Sequence, residues 1–387
     1  MTDLEAIKNC FNKADFGKTF DSKQIKNIVN IKYGKKIDNI IPSDYCYNIT
    51  NNGIKNYKNY LHIFINRGTG LYEYVGENYK YTGTVSNKGA TVGEWINGIY
   101  SSYLDEELSP GNSTNIVTTK NDEYFNTSSN NHGKEATIIN LICKYLSDKN
   151  IYFDDLSHLE NIKARNEGKI FSFSENIRGL VYAQLSNQTK WSKIVSKLKE
   201  IDKLFFDYDR VKILNIPDDY FYNGIFKLKC GNIATKKQMI SLKDNIHMLE
   251  LIEKDYGSLD NFYESYSASR IATILSSGKY KLRYIGYALA WEFLRNVGID
   301  GAKPDVHIRR ILGRERLAYS NSINAGELES IHIIDELSER TGYTKAFIDA
   351  ALWSYCSDGY GQVCTADPRC DICLISEYCK YKKNLNT

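Results

Sequence analysis

The last 24 residues of the chain contain four of its nine cysteines. They follow the pattern C-x5-C-x2-C-x5-C, at Cys364, Cys370, Cys373 and Cys379. Four thiolates within sixteen residues can surround one metal centre, which would be tetrahedral zinc or an iron–sulfur cluster. Zinc sites usually combine two C-x2-C pairs, whereas one C-x2-C flanked by wider gaps fits a cubane cluster better. The spacing therefore predicts a [4Fe–4S] cluster, with zinc and then ordinary core thiols as the alternatives.

A second stretch that could do chemistry lies at 282–310 and reads LRYIGYALAWEFLRNVGIDGAKPDVHIRR. It begins with a turn that contains Gly286, continues as an amphipathic helix, breaks at 298–304 and places Asp305 before a basic segment. Positions 279–316 hold nine basic and four acidic residues, although the net charge of the whole chain is only +3. The stretch predicts a backbone hairpin that holds a polyanion, with a carboxylate aimed at it. Taken alone, it could also be a helix-turn-helix corner with Asp305 as an N-cap.

Helical periodicity dominates from Lys134 onward, and no segment there alternates with a period of two for long. Glycine and proline occur at the breaks between the helices. We therefore predict one helical domain at 134–387, in which 364–379 is the cluster loop. Helices are expected near 175–187, 190–206, 236–255, 268–276, 286–296, 306–316, 325–340 and 343–356.

The first hundred residues have a different pattern. Three short helices are predicted before a β-hairpin formed by 60–65 and 71–76. Asp21 is predicted to cap the second helix and Gly34 to end it. This order predicts a small α+β, winged-helix-like module at 1–100, which could bind DNA or serve as a structural or dimerisation domain.

The segment between these parts, 101–133, is rich in Ser, Thr, Asn and Gly and is the predicted linker. No apolar run approaches the roughly 18 residues of a membrane span, and the first residues lack the layout of a secretory signal. An odd number of cysteines in such a chain argues against a disulfide framework. We expect a bacterial cytoplasmic, nucleoid-associated protein with no membrane partner. The oligomeric state is not predicted.

Four motifs occur in an informative order: FSFSENIRGLVYAQLSNQTKW at 171–191, then LRYIGYALA, KPDVHIRR and the four cysteines. Together they resemble the endonuclease III branch of the helix-hairpin-helix DNA glycosylase superfamily, over roughly 135–387. The resemblance implies two helical subdomains with the active site between them, and double-stranded DNA as the partner. Separately, PSDYCYN and YEYVGENYKYTG in the first hundred residues resemble N-terminal modules of some bacterial endonucleases.

The resemblance implies roles for individual residues. Asp305 matches the catalytic carboxylate, which would stabilise positive charge on the sugar as the glycosidic bond breaks, or orient the attacking water. Gln188 matches a residue that fills the gap left by the flipped nucleotide. The hairpin at 282–286 would hold a phosphate on its backbone amides. The predicted DNA-binding residues are Gln188, Leu282, Arg283, Ile285, Gly286 and Arg309.

Two positions depart from the family pattern. Tyr284 stands where members usually have a second hairpin glycine, and Ala288 stands where members that also cleave the strand have a lysine nucleophile. Alanine cannot form a Schiff base, so we expect base release by hydrolysis without strand cleavage. Lys279, Lys281 and Lys303 lie near in the sequence and could substitute for that lysine.

The main hypothesis is therefore a monofunctional DNA glycosylase that flips out a damaged or modified base, removes it and leaves an abasic site. The additional N-terminal module suggests anti-phage defence through excision of modified bases. One alternative is a catalytically silent protein that binds DNA damage or modification. The other is a zinc-binding transcription regulator. The identity of the base is not predicted.

Overall fold

The computed structural model describes residues 3–34, 40–51, 57, 60–68, 70–87, 90–96, 98–102, 133–152 and 157–381. The chain forms two compact units, Met1–Ser109 and Pro110–Thr387. The predicted linker at 101–133 lies almost entirely outside the described residues, so its extent stays a prediction. No helix in the described part of the chain is long and apolar enough to cross a membrane.

The first unit combines short helices with antiparallel β-sheet. Its elements are α1 (Asp3–Lys8), β1 (Thr19–Asp21), α2 (Ser22–Tyr33), β2 (Phe64–Asn66), β3 (Leu71–Tyr74), β4 (Gly83–Asn87), β5 (Ala90–Ile96) and β6 (Ile99–Ser102). One sheet has the strand order β1-β3-β2 and the other has the order β4-β5-β6. All strand pairs in both sheets are antiparallel.

Local signals explain the first half of this unit. The Asp21 carboxylate accepts a hydrogen bond from the backbone N–H of Gln24 at 2.8 Å, and Gly34 ends α2 with a φ of 61°, as predicted. The predicted hairpin is formed by β2 and β3. The third predicted helix is a single 3-10 turn at Pro42–Tyr45. The sheet β4-β5-β6 is not predicted from the sequence, because its strands contain glycine and asparagine, which are weak strand formers.

The second unit is helical, and the mainly α fold class with a small N-terminal α+β domain is confirmed. Two predicted long helices are divided in the structure: 190–206 forms two helices, and 236–255 breaks at Ser241. Its helices are α3 (Lys134–Asp148), α4 (Ser157–Asn166), α5 (Phe173–Leu185), α6 (Trp191–Val195), α7 (Leu198–Leu204), α8 (Arg210–Asn215), α9 (Asp218–Lys227), α10 (Thr235–Ile240), α11 (Leu242–Tyr256), α12 (Leu259–Glu264), α13 (Ala268–Ser277), α14 (Tyr287–Asn296), α15 (Val306–Ile311), α16 (Glu327–Thr341) and α17 (Lys345–Cys356).

Helix α14 lies at the centre of this unit and packs against α4, α5 and α13. Its apolar side chains, including Phe293 and Leu294, are buried in the core. The approach of α5 to the end of α14 requires a residue without a side chain: a Cβ on Gly179 would lie 3.2 Å from the Cβ of Asn296. Asn296 donates a hydrogen bond to the Gly179 carbonyl at 3.0 Å. These contacts hold α14 firmly enough to position the side chains that it carries toward the cavity described below.

Candidate active site

A cavity of about 480 Å³ lies in the second unit. Five segments of the chain form its wall: helix α4, the loop after α5, helix α14, the segment around Asp305, and helix α17 with the residues that follow it. Gln188, Ala288 and Asp305, which the sequence analysis associates with one reaction, all line it. Its volume is in the range of small-ligand sites. The structure thus brings together three residues that are far apart in the sequence.

Asp305 is the N-cap of α15. Its Oδ1 atom accepts hydrogen bonds from the backbone N–H groups of His307 at 2.8 Å and Ile308 at 3.1 Å. Within the described part of the chain, Oδ2 accepts no hydrogen bond. The two interpretations of this residue are therefore compatible, since one oxygen caps the helix while the other remains available in the cavity.

His307 follows Asp305 and also lines the cavity. Burial lowers the pKa of His307, with Arg310 adding to the effect and Asp305 opposing it. The distance between Arg310 Nη2 and His307 Nδ1 is 3.1 Å, which suits a hydrogen bond donated by the guanidinium to a neutral imidazole. This arrangement fits a structural role for His307.

The predicted hairpin joins α13 to α14, and its strain lies at an unexpected residue. Tyr284 has a φ of 57°, whereas Gly286 has an extended conformation with φ −89° and ψ 178°. The left-handed conformation in this turn therefore falls on the tyrosine and not on the glycine. Buried Asn245 holds the turn, because its side chain donates to the Arg283 carbonyl at 3.1 Å and accepts from the Arg283 N–H at 2.6 Å. This clamp explains how tyrosine is kept in the left-handed region.

The side chains of the hairpin divide into two groups. Leu282 and Ile285 are 0% and 2% exposed, so they anchor the turn in the core and can offer DNA only their backbone. Arg283 is exposed and forms an ion pair with Asp244 at 2.9 Å. At the start of α14, the N–H groups of Gly286 and Ala288 donate to no described residue. The predicted phosphate contact is thus restricted to amides and the Arg283 guanidinium.

Replacing Tyr284 with glycine is expected to raise the free energy of unfolding by about 0.5–1 kcal/mol. The left-handed conformation costs tyrosine roughly 1–2 kcal/mol, of which the greater entropy of glycine in the unfolded chain removes part. Chemical denaturation measures the change. The matched control is Gly286→Ala, which should alter stability by less than about 0.5 kcal/mol, since a Cβ there meets nothing within 4 Å. Equal or lower stability of Tyr284→Gly would contradict the assignment of strain.

Gln188 lies in the loop after α5, is exposed, and has a φ of 52°. Asn232 supports this loop by donating to the Asn187 carbonyl and to Thr189 Oγ1. A non-glycine residue held in this conformation at a cavity wall is a feature typical of functional sites. Trp191 begins the next helix, is partly buried against the core, and also lines the cavity.

A group of buried charges that was not predicted from the sequence forms part of the cavity wall. Arg295 donates to Asp349 Oδ2 from Nη1 at 2.6 Å, and its Nη2 lies 2.6 Å from His158 Nε2. Lys303 Nζ lies 3.5 Å from Glu292 Oε2, and the Lys303 backbone N–H donates to Asp349 Oδ1 at 3.0 Å. Glu292 and Arg295 follow Ala288 by four and seven positions, which places the three on one helix face. This spacing in the sequence could have indicated that Glu292 and Arg295 lie on the same side of α14 as Ala288.

Burial and pairing act on these groups in different directions. Burial opposes ionisation of Glu292, but Lys303 and Arg295 together lower its pKa to about 2. Burial raises the pKa of Asp349 to about 7, although Arg295 lies beside it. Burial and the Arg295 charge lower the pKa of His158. At neutral pH the cavity wall therefore presents an ionised Glu292 and a neutral His158.

Two lysines line the cavity within the described part of the chain, Lys190 and Lys303. Lys190 forms an exposed ion pair with Asp358, and Lys303 is held by Glu292 and by Ser186 Oγ at 3.1 Å. Lys279 and Lys281 are not part of the wall, and Lys279 is paired with Asp255 at 3.1 Å. Of the three lysines that could replace the missing one, only Lys303 is located in the cavity.

Arg309 is also separate from the cavity wall. Its Nε donates to the Ala325 carbonyl at 2.7 Å, so part of the guanidinium is used to hold the loop before α16. The predicted phosphate contact of Arg309 would have to come from its terminal nitrogens.

Of the four C-terminal cysteines, Cys364 and Cys379 are buried, whereas Cys370 and Cys373 are half-buried. The hydroxyl of Tyr355 donates to Cys373 Sγ at 3.4 Å. A hydrogen bond from Cys356, together with the charges of Arg316 and Arg310, lowers the pKa of Cys364 to about 7 against the effect of burial. Four clustered cysteines, one of which has arginine neighbours that favour its thiolate, have the donor chemistry of a thiolate-bound metal centre. No group of three or more candidate ligands among the described residues is arranged to hold an ion, so the cluster stays a prediction.

Comparison with known proteins yields matches to both units. Residues 2–102 match a family described as "Domain of unknown function (DUF7225)". The chain is 38% identical over 107 residues to the uncharacterized protein YnaC of Bacillus subtilis (strain 168), a match that covers 26% of this chain and 39% of that relative. The chain thus spans about two fifths of the length of that curated relative.

Solved structures of DNA glycosylases are similar to part of the chain. An 8-oxoguanine glycosylase/lyase of Methanocaldococcus jannaschii, in complex with DNA, is 21% identical with a TM-score of 0.41 and covers 58% of this chain and 98% of its own. The 8-oxoguanine DNA glycosylase of Thermotoga maritima is 18% identical with a TM-score of 0.42, covering 58% and 98%. A trapped endonuclease III–DNA covalent intermediate is 13% identical with a TM-score of 0.38, covering 55% and 86%. At these identities the candidate site rests on its own geometry.

Proposed function

We propose that the chain is a DNA glycosylase that binds duplex DNA, flips one nucleotide into the cavity and hydrolyses its N-glycosidic bond. One observation carries this proposal: Gln188, Ala288 and Asp305 line a single cavity that is large enough to hold a nucleobase. Three motifs that are separate in the sequence would not be expected to meet in this way if each were only a local turn or cap. The Oδ2 atom of Asp305 is then the group that stabilises positive charge on the sugar or orients water.

Contacts to the DNA backbone would surround this cavity. The N–H groups at the start of α14 and the Arg283 side chain would bind phosphate, with the helix dipole in their favour. Gln188 would occupy the space vacated by the flipped nucleotide, since it is exposed at the cavity wall and Asn232 supports its loop. These contacts position the duplex, and the cavity selects the base.

The reaction is proposed to stop at an abasic site. Ala288 offers no nucleophile, and the Lys303 amine is held by Glu292 and by Ser186 Oγ, so it is not placed to attack a sugar. Hydrolysis by water under the control of Asp305 is the remaining route. Sodium borohydride should therefore trap no covalent protein–DNA adduct.

The C-terminal thiols are proposed to hold a [4Fe–4S] cluster through Cys364, Cys370, Cys373 and Cys379. When bound, the cluster would order the loop that carries Arg369 and Lys380 toward phosphate. Purified protein is expected to be brown, to contain about four irons per chain and to lose them in Cys373→Ser. Cys143→Ser, which alters a thiol outside the loop, is the matched control. Zinc without iron would instead favour the regulator hypothesis.

The first unit is proposed to be a winged-helix-like DNA-binding module. Its order of α1, β1, α2, β2 and β3, with β3 between the other two strands, supports this. A module of this kind would direct the glycosylase to particular DNA, and excision of modified bases from phage DNA is the proposed role. In that case, the protein would act in the bacterial cytoplasm, at the nucleoid.

The test is mass spectrometry of bases released from modified and unmodified genomic DNA, followed by alkali treatment of the product. Release of a free base, with strand breaks only after alkali, supports a monofunctional glycosylase. An adduct trapped by borohydride would show lyase activity and implicate Lys303. Tight DNA binding without release of any base, unchanged in Asp305→Asn, would instead support the catalytically silent protein.

A further inference from the structure

The pair formed by Glu292 and Lys303 has a property that a purely structural ion pair would not need. Glu292 is only 8% exposed, and its Oε2 lies 3.5 Å from Lys303 Nζ and 3.9 Å from Arg295 Nη1. Within the described part of the chain, Oε1 accepts no hydrogen bond. Glu292 lines the cavity, so a donor on a molecule bound there can complete the hydrogen bonding of this carboxylate.

The chemistry of Glu292 and Lys303 defines which hydrogen-bond donors and acceptors a molecule bound in the cavity must have. Lys303 and Pro304 precede Asp305 in the chain, so the pair and the proposed catalytic carboxylate belong to the same wall. An ionised carboxylate only accepts hydrogen bonds and an ammonium only donates them. Because Lys303 and Arg295 lower the pKa of Glu292 to about 2 against burial, the carboxylate keeps this acceptor character at neutral pH.

Among the nucleobases, the guanine ring matches this arrangement. Its Watson–Crick edge presents a carbonyl oxygen, a ring N–H and an amino group in sequence. The oxygen can accept from Lys303, and the two adjacent donors can bind the two oxygens of Glu292 as a bidentate pair. An adenine ring has an unprotonated nitrogen in the place of the ring N–H, and its lone pair would face a carboxylate.

We propose that Glu292 and Lys303 read the Watson–Crick edge of the base in the cavity and select purines that retain the guanine-type edge. This inference rests on the proposed function, because it requires a flipped nucleotide in the cavity. The substrate class is a damaged or modified guanine whose alteration lies away from that edge. Trp353, half-buried at the same wall, offers an aromatic face for the purine ring.

The test uses short duplexes that contain one 2′-fluoro nucleotide, which resists hydrolysis of its glycosidic bond. The base is 8-oxoguanine, hypoxanthine or adenine, always opposite an abasic analogue so that no base pair must be broken. A fourth duplex carries an abasic analogue at both positions. Dissociation constants are measured by fluorescence anisotropy at one salt concentration, since phosphate contacts depend on salt.

Wild-type protein is expected to bind the guanine-type duplex at least about tenfold more tightly than the adenine duplex, with hypoxanthine between them because it lacks the amino group. In Glu292→Gln the preference should fall below about threefold, because an amide cannot accept two hydrogen bonds side by side and can itself pair with adenine. Binding of the abasic duplex should not change. A structural ion pair would give the opposite pattern, with all four duplexes affected alike.

Two outcomes overturn the inference: equal or tighter wild-type binding of adenine, or an unchanged preference in Glu292→Gln. If Glu292→Gln does not fold by circular dichroism, Glu292→Gln combined with Lys303→Gln removes both charges, avoids an unpaired buried ion, and must likewise lose the preference. Failure of the proposed function is recognised separately, as absence of base release from ordinary 2′-deoxy substrates. Release of adenine-type bases would contradict only the inference that Glu292 and Lys303 select the guanine-type Watson–Crick edge.

Discussion

Replacing Asp305 with asparagine is expected to reduce the rate of base release by about 10²- to 10⁴-fold, the range for a group that transfers or orients a proton or charge in the transition state. The change removes the negative charge of the oxygen that lines the cavity. It should not unfold the protein, because asparagine caps helices as well as aspartate does and can accept from the N–H groups of His307 and Ile308. Single-turnover measurement of released base gives the rate.

A matched control for this variant is present in the same unit. Asp209 caps α8 by accepting from the backbone N–H of Lys212 at 3.1 Å, and it does not line the cavity. Asp209→Asn makes the same chemical change at the same kind of helix position and should leave the rate of base release unchanged. If both variants lose activity equally, or if Asp305→Asn retains it, Asp305 is a helix cap without a chemical role.

Replacing Arg295 with methionine is expected to lower the free energy of unfolding by about 3–5 kcal/mol. Arg295 is 4% exposed and donates to Asp349 at 2.6 Å, so the variant leaves Asp349 buried without its cation. Chemical denaturation at pH 8 measures the loss. The exposed Arg340, which is paired with Glu336 at 3.0 Å, is the control, and Arg340→Met should cost less than about 1 kcal/mol.

The pH dependence of this loss has a definite sign. Burial already raises the pKa of Asp349 to about 7, and removal of Arg295 should raise it further. The pKa of an aspartate in the unfolded chain is about 4. If the pKa is higher in the folded protein, ionisation of the group lowers the free energy of unfolding. This loss grows as the pH rises from the unfolded pKa to the folded pKa. The deficit of Arg295→Met should therefore be smaller at pH 5 than at pH 8. The double variant Arg295→Met with Asp349→Leu should recover much of the lost stability. If the loss of stability in Arg295→Met does not depend on pH, an unpaired Asp349 charge is not its cause.

The partners of the buried charges in the cavity wall could not be predicted from the sequence. The positions of Glu292 and Arg295 relative to Ala288 were visible as one helix face. Their partners were not, because Asp349 lies on α17 and His158 on α4. Ion pairs between distant segments depend on how helices pack, and periodicity carries no information about that packing.

What the sequence by itself determined is local. The cap of α2 at Asp21 and the cap of α15 at Asp305 could be predicted from neighbouring residues, because the hydrogen bonds of these caps span two or three positions. The absence of a lysine at Ala288 could be read directly from the sequence. The spacing of the four C-terminal thiols is also local, because all four lie within sixteen residues of the sequence.

The tertiary structure decided which distant segments of the chain come into contact. It placed Gln188 and Asp305 on one cavity wall and turned the side chains of Leu282 and Ile285 into the core. It also imposed a positive φ on Tyr284 through the clamp of Asn245, which no local rule would assign to tyrosine. The physical reason is that burial and non-local hydrogen bonds outweigh local preferences of about 1 kcal/mol per residue.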